Sequence, residues 1–448
     1  MLSFIVNHIK DTRSFSKSVT VLLIALPILL IVQLLVFDLK LGAMLTAGLI
    51  LILIALLKPV ILYLLLVSSF AIENFGAVPG VSYARIIGIL LALALALRLL
   101  LRKETIPKDD SYKYFSLFFL GSIVSFAFAS DISLSLTMYF TYISLFILYV
   151  ATRYFLQSTD DINRALNVIF VSTLLSFMIV FALGLSVRGD GSVRISSGIG
   201  DPNEFASYIL VLIPLALYSA LNSSGILRIS YWGCLISFLL LLVYTGSRGG
   251  ILGFLGAIWI LVYYYKGKMG RIFFLILSVA TISFFLVPED FWTRASTIMH
   301  SLEGKIEDES IEVRLESYQA ALKMFLDYPL AGVGLRNFQF LSSEYGAIKM
   351  VVHNSYLEVL TGGGLLAFIP FSLILINSWR KLRLRKNYDK NIRDLVICLK
   401  ASFVSILITS SFISAENKKI LWFLFALISA VYYIAANQKI LYKARNSQ

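Results

Sequence analysis

Long apolar segments, separated by short polar ones, run through almost the whole chain. A helix that spans a membrane needs about 20 predominantly apolar residues, and most of these segments approach that length. The pattern predicts helices at 18–37, 41–57, 60–73, 84–101, 112–129, 134–156, 165–184, 204–221, 229–245, 249–265, 272–287, 354–378, 394–414 and 418–437. We therefore predict an all-α polytopic membrane protein with about fourteen transmembrane helices.

Two polar segments, 185–203 and 288–352, are too long to be ordinary connections. The second carries an acidic run from Glu303 to Glu316, and Ile311 to Phe325 within it has the apolar spacing of a helix. We expect a large outer loop that carries short helices. The predicted regions are an N-terminal transmembrane bundle (1–184), a catalytic core with both outer loops (185–378) and C-terminal transmembrane helices (379–448).

Composition agrees with a membrane protein, since 58% of the 448 residues are hydrophobic and only 15% are charged. The net charge of +13 comes from clusters between apolar segments. They lie at Lys10–Lys17, Arg98–Lys108, Lys266–Arg271, Arg380–Arg393 and Lys439–Arg445. Basic residues collect in cytoplasmic loops, so both termini are expected in the cytoplasm, and the charge does not indicate nucleic-acid binding. Neither the two cysteines nor the three histidines have metal-ligand spacing, so no metal or cofactor is expected.

Two polar stretches have the chemistry of an anion site. The stretch 194–206 contains Asp201, Pro202, Asn203 and an acid in succession, a pattern typical of a helix start. Helix N-termini bind anions, and Arg194 would add positive charge there. The alternative is that Asp201 only caps the helix. In 245–250, glycines flank Arg248 at a membrane boundary and would let its guanidinium approach a phosphate. Its alternative is an arginine that reaches lipid headgroups.

Two further stretches lie in the second outer loop or directly after it. Arg314 lies on the predicted outer helix, where it could equally be a solvated residue paired with a nearby Glu, and Arg336 follows a Gly-x-Gly turn. His353 is followed by Asn354 and, on the helix that re-enters the membrane, by Glu358. A lone histidine is usually structural. Its place at the start of an apolar helix, on the side of the arginines, favours a catalytic base.

Together these stretches resemble the bacterial O-antigen ligase and O-antigen polymerase family. The resemblance rests on RISSGIGDPNEFA (194–206), TGSRGG (245–250), RLESY (314–318), YPLAGVGLRNF (328–338) and HNSYLEVL (353–360) in that order, and it covers roughly residues 190–375. Two features depart from it. Thr361 is followed by three glycines where many relatives have an acid before one glycine, and Tyr318 stands where Trp is common.

The resemblance implies a metal-independent, inverting glycosyltransferase that uses a glycan on undecaprenyl diphosphate. It implies Arg194, Arg248 and Arg314 at the diphosphate and His353 at the acceptor hydroxyl. Further candidates are named here together: Arg336, Asp201, Asn203, Asn354 and Glu358.

The expected location is the bacterial inner membrane, with the active site on the outer face among membrane lipids. The acceptor would be lipid A-core for a ligase or a growing glycan for a polymerase, and the motifs do not separate the two; a protein-glycosylating relative is a third option. The alternative from another class is a polysaccharide transporter or flippase, which is expected to show structural repeats and charged or broken helices near the bilayer midplane.

Overall fold

The computed structural model describes residues 57–72, 83–101, 103–182, 195–196, 199–265, 309–385 and 388–446, together with positions 48, 50 and 54. The described residues form two compact units that divide after Leu62, and the account below concerns Tyr63–Gln448. Helices and loops make up the described part of this unit, without any strand. The predicted helices 18–37 and 272–287, most of 41–57, and Arg194 lie outside the described residues.

Thirteen α-helices are described. They are α1 (Pro59–Ser68), α2 (Tyr83–Leu101), α3 (Tyr112–Val124), α4 (Ile132–Phe155), α5 (Thr159–Ala182), α6 (Pro202–Leu221), α7 (Gly225–Tyr244), α8 (Arg248–Tyr264), α9 (Glu309–Asp327), α10 (Phe338–Leu341), α11 (Ser355–Lys381), α12 (Lys390–Thr409) and α13 (Lys419–Asn446). Short 3₁₀ turns follow α1, α3 and α10 at Ser69–Ala71, Ser125–Phe128 and Ser342–Tyr345.

Seven helices in the described part are long and apolar enough to cross a membrane: α2, α4, α5, α6, α7, α11 and the first part of α13. Three shorter apolar helices, Pro59–Ala71, Tyr112–Phe128 and Arg248–Tyr264, also coincide with predicted segments. These helices support a polytopic membrane protein. The predicted total of about fourteen spans and the side on which each loop lies stay predictions.

Capping side chains set where several helices begin. The Asp131 side chain accepts a hydrogen bond from Leu134 N at the start of α4, and Asp389 does so from Ile392 N at the start of α12. The predicted start of helix α5 at residue 165 is wrong. Ser158 and Asp161 form a reciprocal capping box, since Ser158 N bonds the Asp161 carboxylate at 3.0 Å and Asp161 N bonds Ser158 Oγ at 3.2 Å. The helix therefore begins at Thr159.

Helix α6 lies at the centre of the described bundle, and its apolar and small residues are buried along almost its whole length. Hydroxyl groups connect it to α12: Ser207 and Thr409 are 2.8 Å apart, and Ser402 donates to the Val211 carbonyl at 2.8 Å. Glycines bring α8 close to α12, because a Cβ on Gly253 would lie 2.7 Å from the Thr409 methyl group. Helices α6, α8 and α12 form a closely packed group that positions the loops at their ends.

A buried ion cluster fixes the loop before α3 to three helices. The Asp109 carboxylate accepts hydrogen bonds from Lys381 Nζ of α11 at 2.6 Å, Arg153 Nε of α4 at 3.2 Å and the Tyr149 hydroxyl at 2.6 Å, while Ser429 of α13 also bonds to it. Burial by itself would raise the pKa of Asp109, but the charge of Lys381 and the hydrogen bonds from Lys381, Ser429 and Tyr149 together outweigh it and hold that pKa well below its usual range. The cluster fixes one end of α11, and the candidate site lies at the other.

Candidate functional site

His353 lies in the turn that leads into α11, where it is partly buried. Its φ of +54° belongs to the left-handed region that a histidine rarely adopts, so the surrounding contacts must hold the turn. Asn354 follows as the helix cap, and its Oδ1 accepts bonds from Tyr356 N at 3.0 Å and Leu357 N at 3.1 Å. The predicted helix start at residue 354 is confirmed to within one residue.

The loop between α12 and α13, residues 410–418, packs on this turn and is bonded to it. Ser355 N donates to the Ser410 carbonyl at 2.8 Å, and Ser355 Oγ donates to the Ile413 carbonyl at the same distance. Ser355 Oγ also accepts from Ala415 N at 2.7 Å. These three bonds hold the 410–418 loop against the start of α11.

Helix α9, the predicted outer helix, covers the turn from the other side. Its buried residues Ala320, Ala321 and Met324 pack with Val352 in one apolar cluster. The Tyr318 hydroxyl donates to the Ser411 carbonyl at 2.9 Å and lies 3.5 Å from the His353 carbonyl. The interpretation of 311–325 as a helix is confirmed, since α9 spans Glu309–Asp327.

The groups around His353 make its environment electropositive. Burial lowers the pKa of His353 below its ordinary value, and the nearby charges of Arg314 and Lys418 lower it further, while Asp201 acts in the opposite direction. The structure thus brings together three residues singled out in the sequence, His353, Arg314 and Asp201, and adds Lys418. A histidine in this environment is neutral near pH 7 and can accept a proton.

Asp201 also caps α6, as the sequence indicated. Its carboxylate accepts hydrogen bonds from Asn203 N at 2.8 Å and Glu204 N at 3.0 Å. The capping interpretation is therefore confirmed, and the same carboxylate still acts electrostatically on His353.

Arg248 is the first residue of α8 and is partly buried. Ser247 caps this helix by accepting from Gly250 N at 3.1 Å, and Gly246 takes a φ of +58° in the turn before it. A Cβ on Gly249 would lie 3.1 Å from the Phe412 ring, so the start of α8 packs against the same 410–418 loop. Arg248 is therefore close to the loop that supports the His353 turn.

Arg336 projects from a rigid part of the outer loop. It has a φ of +59° and follows Gly334, whose φ is +94°. The next residue, Asn337, is fully buried, accepts from Asp131 N at 2.7 Å and donates to Ser135 Oγ at 2.8 Å. Asn337, which was not among the candidates predicted from the sequence, fixes the loop to the start of α4 and so holds Arg336 in place.

The run of glycines after Thr361 has a structural reason. Gly364 takes a φ of +58° and breaks α11, and the outer loop supplies the bonds that the broken helix loses. Leu365 N and Leu366 N donate to the carbonyls of Pro329 and Leu330, and Val333 N donates to the Thr361 carbonyl at 2.9 Å. A Cβ at Gly364 would collide with the Leu330 carbonyl, so only glycine allows this approach.

Two buried glutamates lie below the His353 turn. Glu358 is 7% exposed and accepts a bond from Val352 N at 3.4 Å, directly before His353. Glu416 is 1% exposed, so its carboxyl group is removed from solvent. Burial, and then the charge of Glu358, raise the pKa of Glu416 above its ordinary value.

A polar chamber of about 250 Å³ opens beside these residues. Its charged lining consists of Arg336, Lys418, Lys419 and Glu204, and Lys418 Nζ lies 2.7 Å from the Glu204 carboxylate. Neither lysine was among the site residues predicted from the sequence. Their signal was available, since two lysines in a predicted outer loop oppose the usual charge bias.

Within the described residues, no three His, Cys, Asp or Glu side chains converge as a metal site would require. A family model described as O-antigen ligase matches residues 232–372 of the chain. This range contains the stretches around Arg248, Arg314, Arg336 and His353, and it confirms the resemblance drawn from the motifs. A search of curated proteins found no similar sequence.

Proposed function

We propose that this protein, of which residues 232–372 match a family model described as O-antigen ligase, is a cell-envelope glycosyltransferase of that kind. In this proposal it moves a saccharide or polysaccharide from undecaprenyl diphosphate to an acceptor hydroxyl, at the outer face of the bacterial inner membrane. In this proposal the core of the enzyme is residues 185–378, which comprise the two predicted outer loops and their flanking helices.

The observation that carries the proposal is the His353 turn, with a partly buried imidazole among cations. An acceptor hydroxyl placed against the ring nitrogen gives its proton to His353 while its oxygen attacks C1 of the donor sugar. The bond from C1 to the diphosphate oxygen breaks on the opposite face, so that the diphosphate leaves with the electron pair and the configuration at C1 inverts. The lowered pKa keeps His353 in the neutral form that accepts the proton.

Negative charge builds on the diphosphate as this bond breaks, and arginines stabilise such charge most strongly where water is excluded. We assign this role to Arg314, which acts on His353, and to Arg248, beside the 410–418 loop. Arg194, outside the described residues, is assigned to the same group by its motif. The chain's own cations then take the place of a metal ion at the diphosphate.

The other candidates position these groups. Asp201 and Asn354 cap the starts of two helices that begin at the site, and Asn203 lies in the first turn of α6. Glu358 holds Val352 and thereby the strained His353 turn. Arg336 faces the chamber where the donor or acceptor would lie.

The test is glycan transfer in proteoliposomes that contain the full chain, a saccharide on undecaprenyl diphosphate and a chelator. His353→Ala should lower the rate about 10²- to 10⁴-fold, because the proton acceptor is lost. Arg314→Ala should lower it about 10²- to 10³-fold. The matched control is Lys323→Ala, which removes an exposed cation from the same helix and should keep the wild-type rate.

Two results would overturn parts of the proposal. Full activity of His353→Ala would show that another group takes the proton. Loss of wild-type transfer in chelator would show that a metal ion is needed. The product distinguishes the two reactions, since a longer lipid-linked glycan indicates a polymerase and a glycan on lipid A-core indicates a ligase.

A further inference from the structure

The outer loop lies against the backbone of α11 at the point where Gly364 breaks that helix. Leu365 N donates to the Pro329 carbonyl at 2.9 Å. Leu366 N donates to the Leu330 carbonyl at 3.1 Å. The backbone of the loop and the backbone of the helix are therefore in direct contact, and Leu330 lies level with Leu366.

The length of α11 fixes the depth of this contact in a membrane. The helix has 27 residues and is apolar enough to cross a bilayer. A helix of that length extends over about 40 Å and exceeds the hydrocarbon core by about 10 Å. Leu366 lies about 16 Å from the first residue of the helix. Even if the whole excess length projects from this end, Leu366 is inside the hydrocarbon region, and so is the backbone of Leu330 beside it.

The exposed side chains at this level are apolar. Leu330 is 63% exposed, and Ile369 of α11, one turn beyond Leu366, is 53% exposed. Because the carbonyl of Leu330 is bonded to Leu366 N, the Leu330 side chain adds to the exposed apolar surface of α11. On a helix that crosses the membrane, a surface of this kind faces acyl chains.

The polar backbone groups of the loop are compatible with this depth. Irregular backbone is tolerated within a bilayer where it is buried in protein and its polar groups are paired. Ala331, Val333 and Leu335 are buried. Val333 N donates to the Thr361 carbonyl at 2.9 Å, and Pro329 has no backbone N–H that would need a partner. The loop thus directs an apolar side chain outwards while its backbone bonds to α11.

Aromatic and apolar side chains lead from this level towards α9. Tyr328 and Phe128 are exposed, and their ring centroids are 6.3 Å apart. Aromatic side chains are enriched where a membrane meets water. Leu322 and Leu326 of α9 are also exposed, on the face opposite the buried Met324. An outward apolar stripe on a helix that ends in such a loop is typical of a helix that rests on a bilayer surface.

We propose that the 328–335 loop is a re-entrant segment that enters the hydrocarbon region beside α11, with the Leu330 side chain among acyl chains and with Leu322 and Leu326 at the bilayer surface. The partner is the lipid itself, because these exposed apolar side chains continue those of a membrane-crossing helix. The inserted loop holds α9, and Arg314 on it, at a fixed height above the membrane. The inference requires only that α11 crosses the membrane, so it goes beyond the proposed reaction and does not depend on it.

The test measures depth in the bilayer with a spin label on the full chain in nanodiscs. The label is attached to Leu330→Cys after both native cysteines, Cys234 and Cys398, are replaced by alanine. Its collisions with oxygen, which concentrates in hydrocarbon, are compared with its collisions with a water-soluble nickel chelate. Ile369→Cys is the standard for the hydrocarbon region, and Glu344→Cys, at an exposed acidic position of the outer loop, is the matched control in water.

We expect the chelate collision rate at Leu330→Cys to be at least about tenfold below that at Glu344→Cys, because a polar chelate enters hydrocarbon at a high cost. The oxygen collision rate should match that at Ile369→Cys. A chelate rate equal to that at Glu344→Cys would place the loop in water and overturn the proposal. Low rates with both reagents would show that protein, such as a second copy of the chain, covers Leu330, and would overturn it equally.

A second measurement uses the wild-type chain and decides if Leu330→Cys does not fold. The protein in nanodiscs is irradiated with a phospholipid that has a diazirine in its acyl chain, and the labelled residues are identified by mass spectrometry. Labels on 328–330 together with Ile369 are expected. Labels on Ile369 without any on 328–330 would contradict the proposal. Neither result changes with glycan transfer, so a failure of the proposed reaction and a failure of this inference are distinguishable.

Discussion

The buried ion cluster before α3 allows a sharp comparison of two neighbouring aspartates. Both contact Lys381 Nζ, Asp109 at 2.6 Å and Asp110 at 2.7 Å. The side chain of Asp109 is fully buried, whereas that of Asp110 is 50% exposed. Asp109→Ala and Asp110→Ala therefore remove ion pairs of nearly the same length from very different environments.

The two substitutions should differ severalfold in their effect on the free energy of unfolding. Without Asp109, Lys381 (4% exposed) and Arg153 (2% exposed) are left as buried cations that have lost their shared carboxylate, which costs about 3–5 kcal/mol. The remaining contact of Lys381 with Asp110 places the expected value near the lower end. The half-exposed Asp110 pair is screened by solvent and should contribute no more than about 1 kcal/mol.

The measurement is denaturant unfolding of the purified full chain in detergent, with wild type and the two variants at one pH and salt concentration. Asp109→Asn provides a further check, since it keeps the volume and removes the charge. Similar destabilisation by Asp109→Ala and Asp110→Ala would refute the reasoning, because burial would then not determine the strength of these pairs.

The pH dependence of the stability of wild type and Asp109→Asn tests the direction of the pKa shift of Asp109. The folded-state pKa of Asp109 is depressed, so its stabilisation is present above the unfolded-state pKa of about 4 and is lost as the pH falls through the folded-state value. The difference in stability between wild type and Asp109→Asn should therefore shrink in acid and stay constant near neutrality.

Two further predictions concern the site and its scaffold. The acid limb of the pH–rate profile should lie below the ordinary histidine pKa. It should move to higher pH in Arg314→Gln and to lower pH in Asp201→Asn, because Arg314 lowers and Asp201 raises the pKa of His353. Shifts in the opposite directions would exclude His353 as the titrating base. Gly332→Ala should lower the melting temperature more than Gly346→Ala, since both have positive φ but only a Cβ at Gly332 would collide with the Thr361 carbonyl; equal shifts would contradict that packing.

The helices were largely predictable because one physical signal determines them. Apolar length and capping residues located α6 to within two residues of its predicted start and α9 to within two residues at each end. The error at the start of α5 arose because the capping box at Ser158 and Asp161 lies ahead of the continuous apolar run. Capping therefore corrects what hydropathy alone places too late.

The chemistry of the site was predictable in part. An arginine or histidine at a membrane boundary is costly unless it has a function, and this argument selected His353, Arg248 and Arg314. It could not select Glu416 or Asn337, because an isolated Glu or Asn in a polar loop gives no sign in the sequence that it will be buried. Their burial depends on how α4, α11 and the 410–418 loop pack together.

The sequence by itself determined the all-helical membrane character, the positions of most helices and the residue types of the candidate site, since these follow from local hydropathy and from the cost of charge near a bilayer. Only the tertiary structure decided which of these residues meet. The break of α11 at Gly364 and the packing of the 410–418 loop bring together segments that are up to 60 residues apart in the sequence. Burial and electrostatic fields are properties of that assembled arrangement, so the lowered pKa of His353 appears only there.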